Sequence, residues 1–189
     1  MDPSSVLSLF RESGALLDGH FRLSSGLHSP GYLQCALVLQ HPDRAEALGR
    51  ALAASLRNLA PTVVLSPALG GLIIGHEVGR ALGVRAIFAE RQDGAMTLRR
   101  GFALTSADRV VVIEDVVTTG GSTRETMAVA AQAGATVVGA GAIIDRSGGA
   151  SSLGVPFKAL AALTVATYAQ EACPLCAAGA PVTKPGSRA

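Results

Sequence analysis

Lysine is almost missing from this chain: of its 16 Lys and Arg residues, only Lys158 and Lys184 are lysine. A phosphate-binding cation in it is therefore an arginine, whose planar donor fork suits phosphate and carboxylate oxygens. Aromatic residues make up only 4%, so the apolar mass is Ala, Val and Leu. Three cysteines (Cys35, Cys173, Cys176) are too few for a disulfide framework. Charged residues are 16% against 49% hydrophobic, which excludes disorder and leaves apolar surface to bury in a core or between subunits. The formal net charge of +2 is too small for a protein built to coat nucleic acid. No apolar run reaches the roughly 20 residues of a membrane span. The first residues, MDPSSVLSLFRESG, lack the charged start and apolar core of a secretory signal. These absences predict a cytoplasmic protein with no nucleic-acid or membrane partner.

What is present fits one domain over residues 1–189, with about 1–40 forming a helix and hairpin and about 172–189 a C-terminal segment and tail. Twenty-two glycines suit an alternating fold with many tight turns. A helix is expected at about Pro3 to Ser13, then an extended hairpin in GHFRLSSGLHSPGYLQC. Pro42 opens a helix on which Ala45, Leu48, Leu52, Leu56 and Leu59 recur at helical spacing. TVVLSPA, VRAIFAE, VVVIEDV, TVVGAGAIID and FKALAALTV read as strands, GGLIIGHEVGRALG as a glycine-opened helix, and QDGAMTLRRGF as a loop or hairpin. Ser122 to Ala133 reads as a helix, with Ser122 and Glu125 at capping-box spacing. Strands alternating with helices imply a mostly parallel sheet with helices on both faces.

The chemistry concentrates in VVVIEDVVTTGGST, residues 110–123. Two adjacent carboxylates, Glu114 and Asp115, repel by roughly 4 kcal/mol at about 4 Å and an effective dielectric near 20, so a partner rich in hydroxyls or positive charge is expected beside them. Thr118, Thr119, Gly120, Gly121 and Ser122 follow, at the end of a parallel strand and the start of a helix. Successive N–H groups there form an anion cradle, and hydroxyls add donors. Neither G-x-x-x-x-G-K-[ST] nor G-x-G-x-x-G is present, which removes the triphosphate-binding and dinucleotide-binding loops. A single terminal phosphate suits the cradle, and a sugar diol or a divalent metal suits the acids.

This stretch resembles the phosphoribosyl-diphosphate (PRPP) motif of type I phosphoribosyltransferases. Four further stretches resemble orotate phosphoribosyltransferases. They are FRLSSGLHSPGYLQ, like that family's hood over the base; PALGGLIIGHEVGRALG, like its pyrophosphate-side loop and helix; FAERQDGAMTLRRGF, in the place of its mobile catalytic loop; and AIIDRSGG, like the segment whose arginine, here Arg146, contacts orotate. The resemblance implies a central, mostly parallel sheet flanked by helices, with a small N-terminal hood. It implies transfer of phosphoribose from PRPP to orotate in pyrimidine biosynthesis, with Mg²⁺ held mainly through PRPP. It also implies that Arg91, Glu114, Asp115, Val116, Val117, Thr118, Thr119, Gly120, Gly121 and Ser122 hold PRPP, with Glu114, Asp115 and Arg91 catalytic. Thr118 and Arg146 would touch orotate, and Arg91 would reach the neighbouring site of a homodimer. The chain departs from the family pattern at Ser24, where many members carry lysine, in PALGG, which has no lysine, and in the loop, where Arg91, Arg99 and Arg100 are the cations. A purine-base phosphoribosyltransferase and a non-catalytic PRPP-sensing regulator are the alternatives.

Two features stand outside that resemblance. His20, His28, His41 and His76 show no metal spacing and read as surface or capping residues. Cys173-Pro-Leu-Cys176 has the spacing of half a zinc site or a redox pair. Without a second pair it reads first as a tight turn whose thiols pack on the domain; a site shared across a dimer is the alternative. KPGSR reads as an exposed tail.

Overall fold

The computed structural model describes residues 1–23, 25–149 and 152–184. Ser24 and the tail beyond Lys184 lie outside them. Helix α1 (Pro3–Glu12) is capped by the Asp2 carboxylate, which accepts the Ser5 N–H at 3.0 Å. An antiparallel hairpin follows, β1 (Leu16–Arg22) and β2 (His28–Leu33), then the short α2 (Ala36–Leu39) and α3 (Pro42–Leu56). The remaining elements are β3 (Val63–Pro67), α4 (Gly71–Leu82), β4 (Arg85–Gln92), β5 (Ala95–Leu98), β6 (Arg109–Val117), α5 (Gly121–Gln132), β7 (Thr136–Asp145), β8 (Phe157–Ala162) and α6 (Pro174–Ala177).

Six strands form one sheet in the order β5-β4-β3-β6-β7-β8, parallel except for β5. Period-two alternation sorts the apolar strands between two cores. Val64, Val111 and Ile113 pack with α1, α3 and α4, whereas Val63, Leu65, Val110 and Val112 pack with Ala130 of α5. Helix α4 sits close on the sheet because its glycines permit it. A Cβ on Gly75 would lie 1.9 Å from the Ser66 Oγ, and one on Gly71 would lie 2.9 Å from the Ile113 carbonyl oxygen. The expected hairpin at QDGAMTL is β4–β5, closed by Asp93 and Gly94 with φ of 50° and 86°. Both central residues at positive φ make the tight two-residue turn that Asp-Gly favours.

The chain leaves β3 through α4 toward β4 on one side and leaves β6 through α5 toward β7 on the other. The order therefore reverses between β3 and β6, and the crevice beyond their carboxyl ends is where an open parallel sheet binds ligands.

Candidate active site at the carboxyl ends of β3 and β6

Glu114 and Asp115 are neighbours in sequence, and strand alternation sends them to opposite faces of β6. Glu114 accepts the hydroxyl proton of Thr123 on α5. Asp115 faces α4: a Cβ on Gly70 would lie 2.8 Å from each of its oxygens. It also lies against the Cys35 thiol. Direct repulsion is therefore not what perturbs the pair. Burial pushes the Glu114 carboxyl up to about 7, opposed by the Thr123 hydroxyl, with the charge of Asp115 a smaller contribution. Burial likewise raises Asp115, opposed by N–H donation from Val116 at 2.9 Å. The expected hydroxyl partner exists, but Thr123 relieves desolvation more than charge repulsion.

Beyond Val117 the chain turns through the exposed Thr118 and Thr119 to Gly120, whose φ of 74° is the left-handed region that a side chain disfavours. Helix α5 starts at Gly121, with Gly120 as its N-cap and no side chain capping it. The expected Ser122–Glu125 capping box does not form. Ser122 lies inside the first turn, where its carbonyl accepts the Thr126 hydroxyl, and Glu125 pairs with Arg91. A box would have consumed the N–H groups that an uncapped first turn offers to an anion. Arg124 braces the preceding turn by donating to the Thr119 carbonyl at 2.6 Å. Helix α4 also begins without a side-chain cap, at Gly70, on the far side of Asp115. The Ala68–Leu69 peptide leading into it is cis.

Arg146 follows β7, and its N–H donates to the Val117 carbonyl at 2.8 Å, fastening it to the end of the acidic strand. Its Nε is buried without a hydrogen-bond partner among the described residues. Asp145, the neighbour that could have neutralised it, accepts the Ser147 N–H at 2.7 Å instead. Burial lowers the Arg146 pKa, partly offset by Tyr32 and Cys35. A half-buried cation whose enclosed Nε–H is left open is costly unless an anion completes it. Tyr32, Cys35, Asp115 and Arg146 thus form one electrostatic group.

Arg91 stands on β4, donating to the Gly94 carbonyl at 2.8 Å and to Glu125. Arg100 pairs with both oxygens of Glu90 at 3.0 and 3.1 Å, and Arg99 lies 3.7 Å from the same group. Every sequence-selected residue from Glu114 to Ser122 borders the reversal point, and Arg146 joins it. Arg91 flanks it through α5. Sequence reasoning missed Tyr32, Cys35, Gly70 and Thr123, which approach from β2, the turn after it, α4 and α5. Only the glycine pair in PALGG gave a signal, through the close approach it permits.

The histidine reading needs correction. His76 is exposed and His41 stands at the N-cap position of α3 without a capping hydrogen bond, but His20 and His28 are buried, at 6% and 3% exposure. They face one another across the hairpin, with Cys173 and Cys176 beside them.

A family model described as "Phosphoribosyl transferase domain" matches residues 36–153. The chain is 54% identical over 188 residues to an orotate phosphoribosyltransferase of Pelotomaculum thermopropionicum, covering 100% of this chain and 99% of that protein. It is 55% identical over 190 residues to that of Heliobacterium modesticaldum, with 100% of each covered. Among solved structures, the Aeropyrum pernix orotate phosphoribosyltransferase superposes with a TM-score of 0.68 at 27% identity, over 84% of this chain and 93% of that one. A Mycobacterium tuberculosis orotate phosphoribosyltransferase in complex with PRPP shares the fold, with a TM-score of 0.66 at 20% identity over 86% and 91% of the two chains. With this identity spanning its whole length, the chain belongs to the orotate phosphoribosyltransferase family.

Proposed function

We infer that this chain transfers the 5-phosphoribosyl group of PRPP to orotate, giving orotidine 5′-monophosphate and pyrophosphate in de novo pyrimidine biosynthesis. The observation that carries the reading is the buried, unpaired Arg146 Nε beside the acidic strand end and the uncapped start of α5. A planar base with a carboxylate completes that arginine, and an uncharged purine does not.

In this reading, the first turn of α5 and the Thr118–Ser122 segment bind the 5′-phosphate, and Glu114 and Asp115 accept hydrogen bonds from the ribose hydroxyls. Holding phosphate and ribose fixes C1 against the orotate nitrogen and removes much of the entropy of encounter. The C1–pyrophosphate bond breaks with both electrons leaving on pyrophosphate, and the already ionised orotate nitrogen forms the new bond, so no strong base is required. The carboxylates stabilise the positive charge that develops on the ribose ring. Mg²⁺, when bound mainly through PRPP, offsets the charge gathering on pyrophosphate. The hard oxygen donors of Glu114 and Asp115 suit that ion through the ribose hydroxyls they hold. With no lysine in PALGG, the uncapped start of α4 supplies N–H donors on the pyrophosphate side.

The chain acts as one cytoplasmic domain in a homodimer, and Arg91 exchanges Glu125 for pyrophosphate in the neighbour's site. Arg91 and Glu125 are 35% and 45% exposed, and so open a pair costs little to break. The β4–β5 hairpin, Glu90 to Gly101, covers the site and excludes water. Loss of orotate absorbance on adding PRPP and Mg²⁺ tests the whole reading. Turnover with adenine or hypoxanthine but not orotate would overturn it, as would PRPP binding with no turnover of any base.

A further inference from the structure

The ring nitrogens of His20 and His28 and the sulfurs of Cys173 and Cys176 all lie within 4.8 Å of one another. His20 Nε2 is 2.8 Å from His28 Nδ1, Cys173 Sγ is 3.5 Å from His20 Nε2, and Cys176 Sγ is 3.6 and 3.2 Å from those two nitrogens. Bond lengths of about 2.05 Å to nitrogen and 2.3 Å to sulfur at tetrahedral angles require N···N near 3.3 Å, N···S near 3.6 Å and S···S near 3.8 Å. The three N···S separations lie within about 0.4 Å of that shell and the N···N pair about 0.5 Å inside it. The second ring nitrogen of His20 lies 2.9 Å from the Ala180 carbonyl oxygen. Donation there puts the proton on Nδ1 and turns the Nε2 lone pair toward the cluster, the outer contact that metal-bound imidazoles make.

We propose that His20, His28, Cys173 and Cys176 bind one structural zinc ion that fastens the C-terminal segment to the N-terminal hairpin. The donor set is two imidazoles and two thiolates, which selects zinc over the hard cations that accompany phosphates. All four positions come from protein and three of the residues are buried, so the site is closed and offers no place for a substrate. The local backbone is arranged for it. Register along β1 shifts between Asp18 and Phe21, placing the extra residue at Gly19–His20 opposite Pro30. Pro174 starts α6 directly after Cys173, so a single helical turn separates the two sulfurs. The joined segments also share Arg22 N–H to the Thr183 carbonyl at 2.9 Å, Thr183 N–H to the His20 carbonyl at 2.8 Å, the reciprocal His28–Tyr168 pair at 2.8 and 2.9 Å, and the Ser29 hydroxyl to the Ala166 carbonyl at 3.0 Å. The ion would convert these bridges, between residues about 150 apart, into one fixed unit on the hairpin that carries Tyr32.

The test begins with elemental analysis of the full-length protein, purified from zinc-supplemented cells without chelator. One zinc per chain that survives gel filtration is expected, as is a visible cobalt(II) spectrum of four-coordinate thiolate type after exchange. Cys173→Ala/Cys176→Ala should lose the metal, whereas Cys176→His, which keeps a donor, should retain it. Chelation should free two thiols to a thiol reagent and speed amide exchange in residues 16–33 and 166–183, leaving β6 unchanged. Native protein with reduced thiols that takes up no zinc or cobalt would overturn the proposal. So would undiminished zinc in the double variant, or a Cys173–Cys176 disulfide in protein purified under reducing conditions.

Discussion

The crevice beyond β3 and β6 and the hairpin β1–β2 are both polar regions of one chain, yet they are held in different ways. The crevice rests on two apolar cores. Val110, Val111, Val112 and Ile113 lead into Glu114 with no measurable exposure, so the strand that presents the acids cannot shift without opening both sides of the sheet. The hairpin meets the core only at its base, through Leu33 and Leu16. Leu16 to Gly19 are partly or fully exposed, and the strand's buried side chains are His20 and Phe21. Its fixity comes from bridges to residues 166–183 and from the histidine–cysteine cluster. A rigid core positions ligand groups for catalysis, and a peripheral element needs local fasteners to keep a defined place over them.

Substitutions can break that contrast, and the largest effect belongs at the core-anchored crevice. Asp115→Asn should lower kcat/KM on the order of 100-fold while leaving thermal unfolding little changed, because burial already penalises the charged form. Steady-state kinetics beside a melting curve measure both. Arg146→Ala should raise the orotate KM roughly 10- to 100-fold, with a far smaller change for PRPP, since it removes a charge-assisted donor to one substrate only. Equal rises for both substrates would remove Arg146 from the base site.

Glu114 gives a pH signature. Its folded pKa, about 7, lies above its unfolded value, so the folded state holds the proton more tightly. Its contribution to stability is complete below about pH 4.3 and is lost as pH rises toward and through 7. Denaturant titrations between pH 5 and 8 should show parent stability falling relative to Glu114→Gln, by at most about 1.4 kcal/mol per pH unit.

Smaller effects probe the hairpin and its neighbour. Ser29 is fully buried, with its hydroxyl 2.9 Å from the Gly31 carbonyl and 3.0 Å from that of Ala166. Ser29→Ala should cost about 1 kcal/mol. The loss should show as faster amide exchange in β1 and β2 while β6 stays protected. Uniform acceleration would mean that the two regions unfold together. Least of all, Glu125→Gln should lower the PRPP KM about twofold by releasing Arg91, a difference within the range of an exposed ion pair.

The elements were legible because their signals are local. Helical spacing from Ala45 to Leu59, Pro42 at a helix start and the alternating apolar strands need only neighbours in sequence. The acid, hydroxyl and glycine types of residues 114–122 were legible for the same reason. The capping box failed because Ser122-x-x-Glu125 has the right spacing but starts two residues past the N-cap Gly120, with Arg91 competing for the glutamate. The two histidines gave no signal because their spacing along the chain is not that of a metal site, whereas a bulged hairpin and a distant helix bring them beside the cysteines in space.

The sequence by itself determined the strand–helix alternation, the anion cradle and the kinds of group that meet a phosphorylated sugar, since each depends on residues within a few positions. Tertiary structure alone decided that Thr123 meets Glu114 and that Cys35 meets Asp115. It alone decided that the Arg146 Nε is buried as an open donor, and that Cys173 meets His20 across 153 positions. The physical reason is that burial and lone-pair convergence are properties of enclosed space. Chain spacing does not specify which side chains are enclosed together.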